Sequence, residues 1–469
     1  MAMRENSLLR TPDFWHKENS KRCYEKAKEF LPGGVTANIK HFPPYPITMK
    51  RGEGAYIVDV DDNRYIDLLM GYGALALGHG HQKIKEAIEE QFQIDGTHLF
   101  GTPHEKEVSF AKRLQEHMPS LEKIRYTNSG TEATLLAVRL AYAYTGKKKI
   151  AKFEGHYHGG FEEVLYSITP TISEAGPGEN PHPVPESSEI EAGTDEDTVI
   201  LPFNQIEDCK NILRRYKDEL AAVIVEPVQG GFIPASRSFM KQLREVTKEL
   251  GIVLIFDEVK TGFRTGLQGA QGFYNIKPDL TALGKVIGGG FPFGVVGGKD
   301  EIMMESSPNK GKDLFDAQTA KQAANKSDVL FHSGTYNGHP MILAAGHATL
   351  DVLEHEYHDT EKRTNQFRKA LEDMFSAYGY PMITVGTGTI FSVVLTEKER
   401  LINYRDFQKT NLQLRKQFDY CMLREGVYTK PLNRYSMATV HGDDVIESIL
   451  QSTERVLQRG GLSPIRDKE

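Results

Sequence analysis

Between residues 120 and 300 the chain alternates short apolar runs with amphipathic stretches of helix length. No other feature restricts the fold as strongly. The runs 123–127, 149–153, 199–202, 221–225, 252–256 and 294–297 have strand length, and 132–144, 205–217 and 238–250 have helical spacing. The runs lack a clean apolar/polar alternation, which suits strands covered on both faces, as in a doubly wound, mostly parallel α/β sheet. Ligands of such sheets bind beyond the carboxyl ends of the strands. The residues that follow each run therefore carry the chemistry.

The flanks read differently. Residues 15–31 suit an amphipathic helix stopped by Pro32-Gly33-Gly34, and 54–60 and 64–69 suit a hairpin around Asp61-Asp62-Asn63. Gly78-His79-Gly80-His81 opens a helix over 82–93; its HxH spacing lacks a third ligand nearby, so capping or packing is the plainer role. Beyond 340 come helices at 341–354 and 359–378 with a few short strands. The expected division is residues 1–75 as the first part of a small α+β domain, 76–340 as a large domain, and 341–469 as the rest of the small one. Two stretches interrupt the pattern: 169–197, rich in Pro, Gly, Ser and Glu, expected as a long mobile loop, and a polar insertion at 306–328.

Composition removes several functions. With 57 basic and 64 acidic residues spread along the chain there is no basic stripe for nucleic acid. Cys23, Cys209 and Cys421 lie too far apart in sequence for a disulfide framework or a zinc set, and a reducing cytoplasm is the expected setting. The charged first 22 residues have no apolar core of a secretory signal, and no run reaches the roughly 18 apolar residues of a membrane span.

Four features at strand ends point to a site. After 123–127, Asn128-Ser129-Gly130-Thr131-Glu132 turns sharply into a helix. A glycine there allows close backbone approach, and the helix N-terminus with two hydroxyls favours a phosphate. A plain N-cap with a capping-box flavour reads the same turn as well. After 149–153, Tyr157 can stack on a flat ring or serve as a core tyrosine. Asp257 ends the run IVLIF, where a buried carboxylate needs a partner; a protonated pyridine nitrogen is one, and a turn or N-cap role is the other. Val259, on the same turn, can pack on the ring face opposite Tyr157. Finally Lys285 precedes Gly288-Gly289-Gly290, as a nucleophilic amine or as a solvated loop lysine.

Taken together and in this order, the features describe a pyridoxal phosphate (PLP) site, with Lys285 holding the cofactor as a Schiff base and Asp257 facing its pyridine nitrogen. The stretches that carry them, NSGTEA at 128–133, YHG at 157–159, EPVQG at 226–230, IFDEVKTGFR at 255–264, GAQGFYNIKPDLTALGKVIGGGFPFGVVGG at 269–298 and GTYNGHP at 334–340, resemble the class III aminotransferases of the fold type I PLP enzymes. Within them the 269–298 block is most similar to the glutamate-1-semialdehyde 2,1-aminomutase branch.

The resemblance covers roughly residues 30–450. It implies a homodimer with sites at the interface. Ser129, Gly130 and Thr131 are then phosphate ligands, Thr335 reaches the phosphate of the neighbouring subunit, and Glu226 lies near the ring. It also implies ping-pong amino transfer between an amino acid, such as a β- or ω-amino acid, and a keto acid, or, alternatively, amino transfer within one molecule. A catalytically silent PLP-binding relative is the remote third reading. Lys40, in 32–42, and Arg434, in 431–441, are the expected anchors for a substrate carboxylate.

Overall fold

The computed structural model describes residues 17–190, 194–308, 330–459 and 462. The first residues of the predicted 15–31 helix, residues 191–193 of the predicted loop and most of the 306–328 insertion lie outside the described residues.

From the N-terminal side, a helix at Glu18–Ala27 leads to β1 (Met49–Glu53), β2 (Tyr56–Asp59) and β3 (Arg64–Asp67), an antiparallel meander whose second turn is the predicted Asp61-Asp62-Asn63. Asp59 closes that turn by accepting from the backbone N–H groups of Asp61 (2.9 Å) and Asn63 (2.8 Å). His79 Nε2 donates to the Asp67 carboxylate at 2.8 Å.

The alternating region folds as one seven-stranded sheet. Its strands are β4 (Lys123–Thr127), β5 (Lys149–Phe153), β6 (Thr198–Leu201), β7 (Leu220–Val225), β10 (Val253–Asp257), β11 (Leu280–Gly284) and β12 (Gly294–Gly298), in the order β4-β12-β11-β10-β7-β5-β6. Only β12 runs against its neighbours. β7, β10 and β11 are buried along their whole length, as expected for strands sandwiched between helix layers. A short hairpin, β8 (Val228–Gln229) and β9 (Ile233–Pro234), follows β7.

The chain ends meet. β13 (Met382–Thr387), β14 (Ile390–Leu395) and β16 (Tyr435–Ser436) form a three-stranded antiparallel sheet, while β15 (Val427–Tyr428) adds in parallel to β3. Between the large sheet and these strands runs one continuous helix, Pro340–Ala377, where the sequence suggested two. No Gly or Pro separates residues 354 and 359, and Tyr357 and Thr360 are both buried, so the inward face continues through the expected break.

Residues 169–190 also differ from expectation, being tied down rather than free. Arg405 grips Glu154 through two bonds of 2.8 Å and reaches the carbonyls of Ala175 and Gly176, while Gln408 holds the Pro170 carbonyl at 2.6 Å. Composition alone did not show these partners because they lie more than 220 residues away.

Arg264 fastens the three regions to one another. Its fully buried guanidinium donates to the Gly73 carbonyl (3.2 and 2.9 Å), to Thr389 Oγ1 (3.2 Å) and to the Met437 carbonyl. Burial, together with the nearby Arg434, lowers its pKa to about 9. Arg264→Met leaves these buried acceptors without a donor. It is expected to cost about 3 kcal/mol, read as a lower urea midpoint.

Candidate active site

Each predicted chemical residue follows a strand of the large sheet on its carboxyl edge: the 128–131 turn after β4, Tyr157 after β5, Glu226 after β7, Asp257 at the end of β10 and Lys285 directly after β11. Because these strands run in the same direction, their carboxyl ends open onto one cleft.

Lys285 stands at a forced position. Its φ is +51°, in the left-handed region that a residue with a Cβ rarely adopts and that costs about 1 kcal/mol or more. A Cβ on Gly284 before it would sit in close contact, 3.4 Å from the Gly130 Cα and 3.4 Å from Val259 Cγ1. Burial, with Lys260 and Arg434 adding positive charge, lowers the Lys285 amine to about 7 against the opposing pull of Asp257 and Glu226. A large share of this amine is therefore unprotonated, and nucleophilic, at neutral pH.

Asp257 is 4% exposed. Its Oδ1 accepts from the Val259 N–H (3.0 Å) and its Oδ2 lies 2.8 Å from His158 Nδ1. The turn role and the buried-charge role are thus both real, with His158 as the protein partner that the sequence left unnamed. The other ring nitrogen, His158 Nε2, is buried without a partner, as is His156 Nε2 beside it, and the two rings are 5.8 Å apart. His156 Nδ1 accepts the Glu226 N–H at 3.0 Å, and burial drives the His156 pKa well down, so that ring is neutral.

Glu226 is buried and accepts from the N–H groups of Tyr157 (3.2 Å) and Gly230 (3.3 Å). Burial pushes its pKa up, but the Lys260 ammonium in direct contact holds it well below the usual carboxylate range. Tyr157 is 47% exposed, hydrogen-bonds Thr131 through its side chain and lies with its ring 5.6 Å from Lys260 Nζ.

The 128–131 turn caps the helix Gly130–Thr145 and still leaves donors free. Ser129 Oγ accepts from Glu132 N–H (3.1 Å) and Glu132 Oε2 accepts from Asn128 N–H (2.6 Å), a reciprocal pair like a capping box. The Ser129 hydroxyl proton remains available. A Cβ on Gly130 would meet Val259 Cγ1 at 2.6 Å, so Gly130 is needed for Val259 to lie over the turn.

The other predicted residues lie further out. Thr335 is exposed, on a turn held to the phosphate-type turn by Asn128 Nδ2 donating to Asn337 Oδ1 (3.0 Å). Lys40 is exposed and donates to Thr36 Oγ1 (2.8 Å), although its neighbour Ile39 offers a carbonyl to the Tyr72 hydroxyl (2.9 Å). Arg434 comes into the cleft: Nη2 donates to the Tyr72 carbonyl (3.0 Å), Nε is buried without a partner, and a Cβ on Gly231 would come within 2.8 Å of that Nε.

Sequence reasoning passed over Lys260 and His158. Both sit beside residues it did name, in DEVKTG and YHG, and a turn that places Asp257 and Val259 in the cleft brings Lys260 with them.

The chain's likenesses agree with this geometry. The family model for aminotransferase class-III matches residues 38–447. A glutamate-1-semialdehyde 2,1-aminomutase from Ignicoccus hospitalis is 38% identical over 454 residues, covering 94% of this chain and 99% of the relative. A crystal structure of an omega-transaminase from Sphaerobacter thermophilus superposes with a TM-score of 0.85 at 32% identity, over 95% of this chain and 98% of that one. A transaminase with PLP bound superposes with a TM-score of 0.83 at 30% identity, over 95% and 98%. With its sheet order, its strand-end residues and these relatives in agreement, the chain belongs to the class III aminotransferases and is a PLP-dependent enzyme of fold type I.

Proposed function

We propose that the enzyme moves an amino group between a carboxylate-bearing amine and a keto acid, with Lys285 as its central residue. The observation that carries the reading is the Lys285 amine, near neutral in pKa, facing the cleft that also holds the Asp257 carboxylate. The residues fit PLP: Gly130 leaves room only for the turn and Val259, the helix N-terminus suits a phosphate, and Tyr157 offers a half-exposed ring. Bound PLP supplies an electron-withdrawing ring that stabilises negative charge on the substrate carbon.

The protein supplies the rest. Lys285 Nζ would hold the cofactor, and as the free amine it would carry the proton from the substrate carbon to the cofactor carbon that bore the aldehyde. Asp257 would hold a proton on the ring nitrogen, its direction fixed by His158 and the Val259 N–H. Ser129, Gly130 and Thr131 bind the phosphate, and Thr335 completes that site from the second subunit of a homodimer. Exposed apolar side chains favour that dimer: Phe92, Ile94, Phe100 and Val108 on one segment and Phe331 and Tyr336 on another, brought together by His104 Nε2 against the Gly338 carbonyl at 2.7 Å. Residues 1–75 and 341–469 form the small domain and 76–340 the large one in this reading. Among the described residues no helix is long and apolar enough to cross a membrane.

Arg434 is the carboxylate anchor. It is a half-buried guanidinium that spends one donor on a carbonyl and keeps a buried Nε without a partner. Arg434→Met is expected to raise KM for a carboxylate-bearing donor about 30-fold, corresponding to about 2 kcal/mol for a lost charge-assisted bond, with a smaller change in kcat. An equal loss with a donor lacking the carboxylate would remove Arg434 from this role. Lys40 remains a secondary candidate at the rim.

The aminomutase reading has its own support in the relatives of that name at 38% identity along nearly the whole chain. One experiment separates the two. Glutamate-1-semialdehyde supplied alone, with no keto acid, is fully converted by an aminomutase. An aminotransferase stops after one equivalent per site, and resumes when a keto acid is added.

A further inference from the structure

We propose that Lys260 is a positioning residue for this reaction: by engaging the Glu226 carboxylate it keeps that anion off both Lys285 and Arg434. The inference rests on the assignment of Lys285 and Arg434 above. Lys260 Nζ pairs directly with Glu226 Oε1, and both side chains are largely buried. The pair stands at the centre of the cleft, because Lys260 lies over the Tyr157 ring on one side and Glu226 receives the Tyr157 N–H from the other.

The charges that face Lys285 are few: Lys260 and Arg434 are positive, Asp257 and Glu226 negative. His156 is neutral, and Tyr157, whose pKa burial raises, is neutral too. Asp257 is committed to His158 and the Val259 N–H. Glu226 accepts from the Tyr157 and Gly230 N–H groups, and its direct cationic partner is Lys260. Glu226 also acts on Arg434 through space, though the two share no ion pair. Remove the Lys260 ammonium and a buried carboxylate is left facing two other cations. Uncompensated burial is costly, so it turns to them. The result is a Lys285 amine held protonated and an Arg434 masked from substrate.

The test uses the full-length chain with and without PLP. Trace acetic anhydride labels free amines, and peptide mass analysis follows Lys285 alone as pH is varied. Protection of Lys285 by PLP checks the underlying assignment, and the labelling midpoint checks the pair. In the unsubstituted protein the midpoint is expected well below that of a free lysine, near 7. Lys260→Met moves it up by about one pH unit, Lys260→Arg leaves it in place, and Glu226→Gln moves it down. In the loaded enzyme Lys260→Met raises KM for a carboxylate-bearing donor about tenfold more than it lowers kcat, and Lys260→Arg restores it. A Lys260→Met midpoint equal to the unsubstituted one overturns the inference. If that variant does not fold, a Glu226→Gln midpoint that fails to fall overturns it.

Discussion

Lys285→Ala is expected to lower kcat by about four orders of magnitude, the upper end of what a positioned acid–base group contributes. The substitution removes the cofactor's attachment and the group that shuttles the substrate proton, both of which are the same nitrogen. No other described amine can take over the shuttle. Lys260 is the nearest candidate, and its side chain is committed to the buried Glu226 carboxylate. The fold should survive, because Lys285 donates no hydrogen bond to the rest of the described residues and its φ of +51° becomes no worse with alanine. Far-UV dichroism and the urea midpoint should match the unsubstituted protein while turnover is lost. Retention of a tenth of the activity would contradict the role.

Asp257→Asn is expected to reduce kcat by roughly 10²- to 10³-fold, the range seen when one preorganised electrostatic partner is removed. The asparagine carbonyl can still accept the Val259 N–H, which lies 3.0 Å from Oδ1, while the amide NH2 replaces Oδ2 beside His158 Nδ1 and donates to that nitrogen when it is unprotonated, so the turn is kept and the charge is lost. A neutral amide cannot hold a proton on the ring nitrogen, so the ring withdraws electrons less strongly. KM should change little, since Asp257 is buried at the strand end and its hydrogen bonds go to His158 and the Val259 N–H rather than to Arg434 or Lys40. A drop in kcat below tenfold would place Asp257 as a structural turn residue only.

The large sheet was legible because its code is local. Apolar runs of strand length ending on Asp257, Glu226 and Thr127 are set by burial on both faces, and β4, β5, β6, β7, β10 and β12 fall within about two residues of the expected positions. β1 was not anticipated: MKRGE is charged and mostly exposed, and only pairing to β2 makes it a strand. The single helix over 340–377 was split because its polar stretch around His355 looks like a break until Tyr357 is seen to be buried. The cleft was legible where a motif names its own residue and silent where the partner comes from elsewhere. His158 meets Asp257 from 99 positions away, Lys260 meets Glu226 across 34, and Arg405 holds the 169–190 segment from about 230. Spacing in one sequence carries no record of such pairings. Arg434 could be named as a candidate anchor, but its place in the cleft, made possible by the missing side chain at Gly231, needed coordinates.

All of this depends on a covalent link between vitamin B6 aldehyde and one amine of the chain. Reduction of the PLP-loaded protein with borohydride, followed by digestion and mass analysis, fixes the position of that link. A phosphopyridoxyl group on Lys285, in the peptide containing TALGK, is the predicted result. The same group on Lys260, or on any other lysine with Lys285 unmodified, would contradict the account.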